Sequence, residues 1–493
     1  MTNPIQELLQ QTGPGLMSPS AYDTSWIARL GDIAPDLSKP AMEWLSENQL
    51  PDGSWGAPAP MYYHDRVIST LAAMLALTRT GKRTQDKRQI EKGLIALEQI
   101  NTNATKGLMA DPNGATIGFE LIVPTLVAEA ESIGILKQHK ERILGRLERL
   151  RRIKLEKMQG LKINRYVTMA FSAEMAGSDK QDMLDVDLLQ EDNGSVGHSP
   201  SASAYFATYI RPGDPRSLQY LRQVSAADGS VPDLLPFEIY EKSWILWNLA
   251  LVDSLDQETL ALFQPHLDHL QAAWNNQKGV SLSKGYSVPD GDNTCITFDL
   301  LTRFNRPANI QGLLSFEEND HFRCYDLEAN PSISVNIHAL IALRSAGYMP
   351  DHPTTLKILH YLEHNRTNYG YWFDKWHISP FYTTAHAILA CINYSDDLIK
   401  PAIDWMISSQ RSDGSWGFYV PTAEETAYCI QALCILKKNG RNVPPGVLLK
   451  AVEWLKFNSQ PPYPLFWIGK GLYAGELVVR SAILSALELA KGL

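Results

Sequence analysis

Asp290-Gly291-Asp292-Asn293-Thr294 brings two carboxyl groups and an amide within four residues, directly after Val288-Pro289 and directly before the apolar run Cys295 to Leu301. Such a cluster at the start of a helix commonly serves as an N-cap. It can also hold an acidic proton. A carboxyl group becomes a strong Brønsted acid when hydrogen bonds support its conjugate base in a dry pocket, and a weaker one when a negative charge stands beside it. His338, His377 and His386 stand in apolar helical segments, where a lone histidine is usually a satisfied core residue. The pair Asp396-Asp397 in DDLIK is the nearest thing to a metal-binding acidic helix, and it lacks a further aspartate.

A recurring phrase organises the elements that must position these residues. An apolar helix runs into Gln, a turn with Asp-Gly-Ser-Trp, and a second apolar helix. Clear copies are AMEWLSENQLPDGSWG from Ala41 and AIDWMISSQRSDGSWGF from Ala402, with a worn copy, AVEWLKFNSQPPYPLFW, from Ala451 and echoes near Gln190, Gln223 and Asn365. Gly53 and Gly414 supply the backbone freedom of a tight turn, Asp52 and Asp413 tie it, and the Trp lies back on the preceding helix. These residues read as scaffold. Segments such as Ser69 to Leu77, Ser334 to Leu343 and Thr426 to Leu436 have helical apolar spacing and no strand alternation. The expected fold is all-α, with helix pairs closing into two double-layered α/α barrels. The first is expected over residues 21–257 and the second over 258–493, completed by the N-terminal segment 1–20.

Composition narrows the function. A chain of 493 residues suits two cores, and 44% hydrophobic with 20% charged residues is ordinary for a globular protein. The net charge of −9, without a basic run, argues against a nucleic-acid partner. No apolar stretch approaches the roughly 18 residues of a membrane span, so no stable membrane insertion and a cytoplasmic location are expected. The five cysteines lack the paired spacing of a zinc site and read as buried thiols.

Taken with its context, Asp290 to Thr294 resembles the DxDD signature of class II terpene cyclases, whose middle aspartate is the acid. SAYDTSW from Ser20, IGFE from Ile117, SPSASAY from Ser199, DKW from Asp374 and WIGKGLY from Trp467 resemble further segments of the diterpene branch, in order along nearly the whole chain. The likeness is greatest to bacterial enzymes of the halimadienyl (tuberculosinyl) and kolavenyl diphosphate synthase kinds. The resemblance implies that Asp292 protonates geranylgeranyl diphosphate to start cyclisation, yielding a bicyclic halimadane, clerodane or labdane skeleton that keeps its diphosphate. Asp290 would orient or recharge the acid, Asn293 stands where the family has a carboxylate and would donate to the acid without adding charge, and Asn336 would be its amide partner. Lys162 and Lys375 match the diphosphate lysines. Asp111 matches the first position of a magnesium-binding acidic motif, eroded here by Gly114. A carbocation also needs aromatic walls, for which Trp274, Trp376, Phe381, Tyr382 and Trp467 are candidates. A separate class I synthase or phosphatase would then consume the product.

Rival readings differ in what they leave unexplained. A squalene-hopene-type triterpene cyclase would carry a fuller set of repeats and an apolar membrane-entry surface, and a protein prenyltransferase subunit would need a zinc ligand set. A non-catalytic α/α scaffold accounts for the repeats but not for the acid cluster and Lys375 in family order.

Overall fold

The computed structural model describes residues 3–103, 115–136, 147–328 and 330–492. Asn3 caps a first helix, α1 (Pro4–Gln11). The first barrel follows with α2 (Ala21–Ala28), α3 (Pro35–Glu47), α4 (Tyr63–Thr80), α5 (Thr84–Asn103), α6 (Phe119–Ser132), α7 (Leu147–Lys157), α8 (Pro200–Tyr205) and α9 (Pro215–Val224). Its inner wall is α2, α4 and α6, closed back onto α2 by a 3-10 segment over Thr168–Ala176 and by α8. All eight residues of α2 are buried, whereas α3 buries only Leu37, Ser38, Ala41, Met42 and Leu45. Inner helices are covered on every side and bury even their polar residues, whereas outer ones keep a single apolar stripe.

The second barrel is more regular. Its inner helices are α10 (Glu238–Leu249), α12 (Gly291–Arg303), α14 (Ile333–Ser345), α16 (Pro380–Cys391), α18 (Ala423–Lys438) and α20 (Glu476–Leu489), packed in that order with α20 returning to α10. Outside them lie α11 (Gln257–Ala273), α13 (Gln311–Leu314), α15 (Pro353–Asn365), α17 (Asp396–Ser408) and α19 (Pro445–Phe457), with α1 seated against α11 and α20. The boundary expected at residues 257/258 is therefore one helix late. Helix α10 closes the second ring, and its Trp244, Ile245 and Trp247 belong to the second core. Val252 to Glu258 looks like a linker because it is polar, yet it is only the turn from an inner helix to its outer partner.

The repeat turns share one geometry. Asp52 accepts from the Ser54 N–H at 3.0 Å and hydroxyl at 2.7 Å, Gln49 donates to Gly53 and to Gln89 in the next outer helix, and the Trp55 indole donates to Leu45 at 2.8 Å. Asp413, Gln410 and Trp416 repeat this against Ser415, Val447 and Met406. Each turn glycine has positive φ, and a Cβ on Gly53 or Gly414 would stand 2.6 Å from a carbonyl oxygen of the following outer helix. Each turn thus locks an outer helix to its neighbour and fixes where the next inner helix begins.

A short hairpin joins the barrels: β1 (Trp467–Ile468) pairs antiparallel with β2 (Leu472–Tyr473). It bonds to the second barrel through Ile468 N–H to Trp376 C=O, and to the first through Ile117 N–H to Gly469 C=O and Leu472 N–H to Asp65.

Candidate active site

Asp290 caps α12 by accepting from the Asn293 N–H at 2.9 Å, so the common capping use of this sequence is real. The cap also places Asp292 in the first turn, where the positive end of the helix dipole favours a carboxylate. Asp292 is buried. Its Oδ1 meets His338 Nδ1 of α14 at 2.5 Å, and His338 Nε2 meets His386 Nδ1 of α16 at 2.8 Å. Burial and the neighbouring His338 push His386 well below the ordinary histidine range, so it is neutral. The other oxygen, Oδ2, lies 3.4 Å from Ser334 Oγ. A carboxyl group held in this way has one oxygen supported by an imidazole and the other, met only at 3.4 Å by Ser334, able to give up a proton.

Asn336 does not touch the acid. Its carbonyl accepts from the Phe322 N–H and its amide donates to Phe322 and Ser332, which fixes the loop ahead of α14. His338 takes the expected role. Asn293 likewise bonds to Asp290, through its backbone N–H. Asp290 is raised to about 6 by burial and then by the charge of Asp292, opposed by the hydroxyl of Tyr325, which donates to Oδ2.

Lys375 lies close by. It is paired with the half-buried Glu328, donates to Asn330 C=O at 2.7 Å and sits 4.8 Å from the centre of the Trp376 ring. Asp374, beside it, caps α14 through Ser332 and the Ile333 and Ser334 N–H groups, and Ser334 in turn reaches Asp292. Lys162 is elsewhere: it is exposed and donates to Asp182 C=O. Among the described residues, Lys154 on α7 is a first-barrel cation near Lys375, paired with Glu120; burial lowers Lys154, and the charge of Lys375 lowers it further. Asp111 and Gly114 lie outside the described residues. Among the described residues no cluster of three His, Cys, Asp or Glu could hold a metal ion.

Comparison with known proteins is consistent along the chain. Residues 320–432, which include α14, α16 and Lys375, match the squalene-hopene cyclase C-terminal domain. A type B diterpene cyclase of Mycobacterium tuberculosis is 47% identical over 97% of this chain and 96% of its own length. The chain belongs to the class II diterpene cyclases. A (+)-kolavenyl diphosphate synthase of Herpetosiphon aurantiacus is 29% identical over 97% of this chain and 95% of its own. The solved ent-copalyl diphosphate synthase of Streptomyces platensis superposes with a TM-score of 0.81 at 28% identity, covering 99% of this chain and 100% of that one.

A diterpene cyclase must surround a migrating positive charge with electron-rich surfaces that are not nucleophiles. Tyr382 and Trp467 stand in such a group, ring centres 4.9 Å apart, with Trp244 donating to the Tyr382 hydroxyl at 3.1 Å and Tyr240 stacked on Trp244 at 4.5 Å. Trp376 faces Tyr325 edge-on, and its buried indole N–H has no partner among the described residues. Trp274 and Phe381 do not belong to this group. Trp274 ends outer helix α11 and packs on Phe298, and Phe381 stacks on Trp405 of outer helix α17. His377 is a structural residue: Nδ1 accepts from the Ser379 N–H and Nε2 faces Glu424 at 3.2 Å. Tyr240, Trp244, Tyr325 and Glu328 carry no spacing signal in the sequence, because they reach the site only once the ring closes.

Proposed function

We propose that this class II diterpene cyclase acts on geranylgeranyl diphosphate, protonates its terminal alkene from Asp292 Oδ2, and releases a bicyclic halimadane-, clerodane- or labdane-type product with the diphosphate intact. The carrying observation is the Asp292–His338 contact at 2.5 Å, with Ser334 linking Asp292 to Asp374, the residue before Lys375. As the proton leaves, charge builds on the carboxylate, where the His338 ring nitrogen and the N-terminus of α12 stabilise it. Tyr382, Trp467 and Trp244 face the cation, whose positive charge favours their ring faces. Lys375 and Lys154 hold the diphosphate away from the acid. A magnesium ion bound with the diphosphate would supply only neutralisation of phosphate charge, and Asp111, expected as its ligand, lies outside the described residues. A separate class I synthase or phosphatase would consume the product, and five buried free thiols suit a reducing cytoplasm.

Purified protein incubated with geranylgeranyl diphosphate should give a cyclised diterpene alcohol after dephosphorylation, identified by mass spectrometry, with no pyrophosphate released beforehand. Pyrophosphate release, or no cyclised product, would refute this assignment.

A further inference from the structure

The segment between α13 and α14 makes a circuit that neither capping nor phosphate binding requires. Gly291 N–H, in the acid motif, donates to Cys324 C=O at 2.9 Å, and Cys324 Sγ lies 3.8 Å from Asp290 Oδ1. The next residue, Tyr325, gives its hydroxyl to Asp290 Oδ2. Glu328 accepts from the Cys324 N–H at 2.9 Å with one oxygen and pairs with Lys375 through the other. Trp376 closes the loop, lying against both the Lys375 ammonium and the Tyr325 ring. A five-residue strap therefore joins the cation proposed for the diphosphate to the carboxyl beside the acid.

We propose that Tyr325 and Glu328 are positioning residues that couple diphosphate occupancy at Lys375 to the protonation of Asp290 and so to proton release by Asp292. The inference rests on the reading of Lys375 as a diphosphate ligand. Without substrate, Glu328 neutralises Lys375 and the strap holds the Tyr325 hydroxyl on Asp290, which favours the Asp290 carboxylate. A diphosphate draws Lys375 to itself. Glu328 is then a half-buried carboxylate without its counter-charge, a costly state that it leaves by moving or by taking a proton. Either change alters its hold on the Cys324 N–H and loosens Tyr325 from Asp290. Asp290 then takes one proton from solvent, and Asp292 loses a negative neighbour just when an alkene is present. The charged and titratable groups facing Asp290 are Asp292 and Cys295 on α12, Cys324 and Tyr325 on the strap, Tyr286 ahead of α12 and Tyr473 on the hairpin; none is a cation.

The test is a pair of pH profiles of the full chain with geranylgeranyl diphosphate. The profile of kcat/KM reports the free enzyme, and the single-turnover rate at saturation reports the complex. Activity should fall as pH rises through the Asp290 titration, and this limb should lie about one pH unit higher in the complex, the size of shift that a bound or lost charged hydrogen bond gives. Tyr325→Phe should move the kcat/KM limb upward until the two limbs coincide. Glu328→Gln, which cuts the strap from Lys375 without touching the acid motif, should also abolish the separation, with the melting temperature as a folding check for both. Coincident limbs in the unmodified enzyme, or a full separation retained in Glu328→Gln, would overturn the coupling. Lys375→Ala tests the underlying reading separately: a raised KM supports it, and an unchanged KM removes the diphosphate from Lys375 whatever the pH profiles show.

Discussion

His338 and Asn336 stand two residues apart on α14, and only one of them can face α12, because successive even positions on a helix point to nearly opposite sides. The structure gives that position to His338. This is where the sequence is least informative about the site: Asp292 is legible from its motif, but its partner depends on the rotation of a different helix. The same holds for Asn293, which is one peptide from the acid and bonds to Asp290 through its backbone N–H. If the imidazole stabilises the departing carboxylate, His338→Phe keeps a ring of similar size and removes the hydrogen bond. Turnover should fall by about tenfold to a hundredfold, the worth of a hydrogen bond to a charged group, with KM little changed. Steady-state kinetics check this; an unaltered kcat would make His338 a packing residue.

At the scale of elements, the repeat turns were readable because their chemistry is local. Asp, Gly, Ser and Trp meet partners within a few residues, and the glycine is required by backbone conformation. What the phrase does not disclose is which barrel a helix joins, since ring closure is a contact between distant segments; for that reason the sequence pattern groups α10 with the first barrel, while its side chains pack into the second. Two glycines separate backbone strain from crowding. Gly414 has φ of +95° and a Cβ there would meet the Lys450 carbonyl at 2.6 Å, whereas Gly440 has φ of +76° with nothing within 4 Å. Gly414→Ala should cost about 2–3 kcal/mol and Gly440→Ala about 1 kcal/mol. Denaturant unfolding measures both, and equal losses would mean that the turn does not lock the outer helices.

For the whole molecule, the hairpin carries the most consequential buried charge. Lys470 is fully buried, pairs with Glu174 at 2.7 Å and donates to Ser199 and Ser201, while its N–H meets Asp233. Three carboxyl groups, Asp23, Glu174 and Asp233, share this one lysine. Burial, and next the charge of Asp23, raise Asp233 well above the usual carboxylate range, so the folded protein keeps a proton there that the unfolded chain releases. The stability from this group is full below the ordinary carboxylate range and is lost as pH rises toward the raised value. Asp233→Asn should therefore flatten the fall in melting temperature between mildly acidic and alkaline pH. Lys470→Met should destabilise by about 3–5 kcal/mol, because it strands Glu174 as a buried unpaired charge. Loss of Lys470 without a drop in melting temperature would show that this buried charge cluster does not hold the hairpin to the first barrel.

The central claim is that Asp292 is the proton donor. Asp292→Asn keeps the shape of the side chain and removes the carboxyl proton at the position that meets His338. Cyclisation of geranylgeranyl diphosphate by this variant should fall by about two to four orders of magnitude, while the dissociation constant for the substrate stays near that of the unmodified enzyme. Near-normal turnover with unchanged affinity would contradict the account and leave Asp290 to Thr294 as a helix cap.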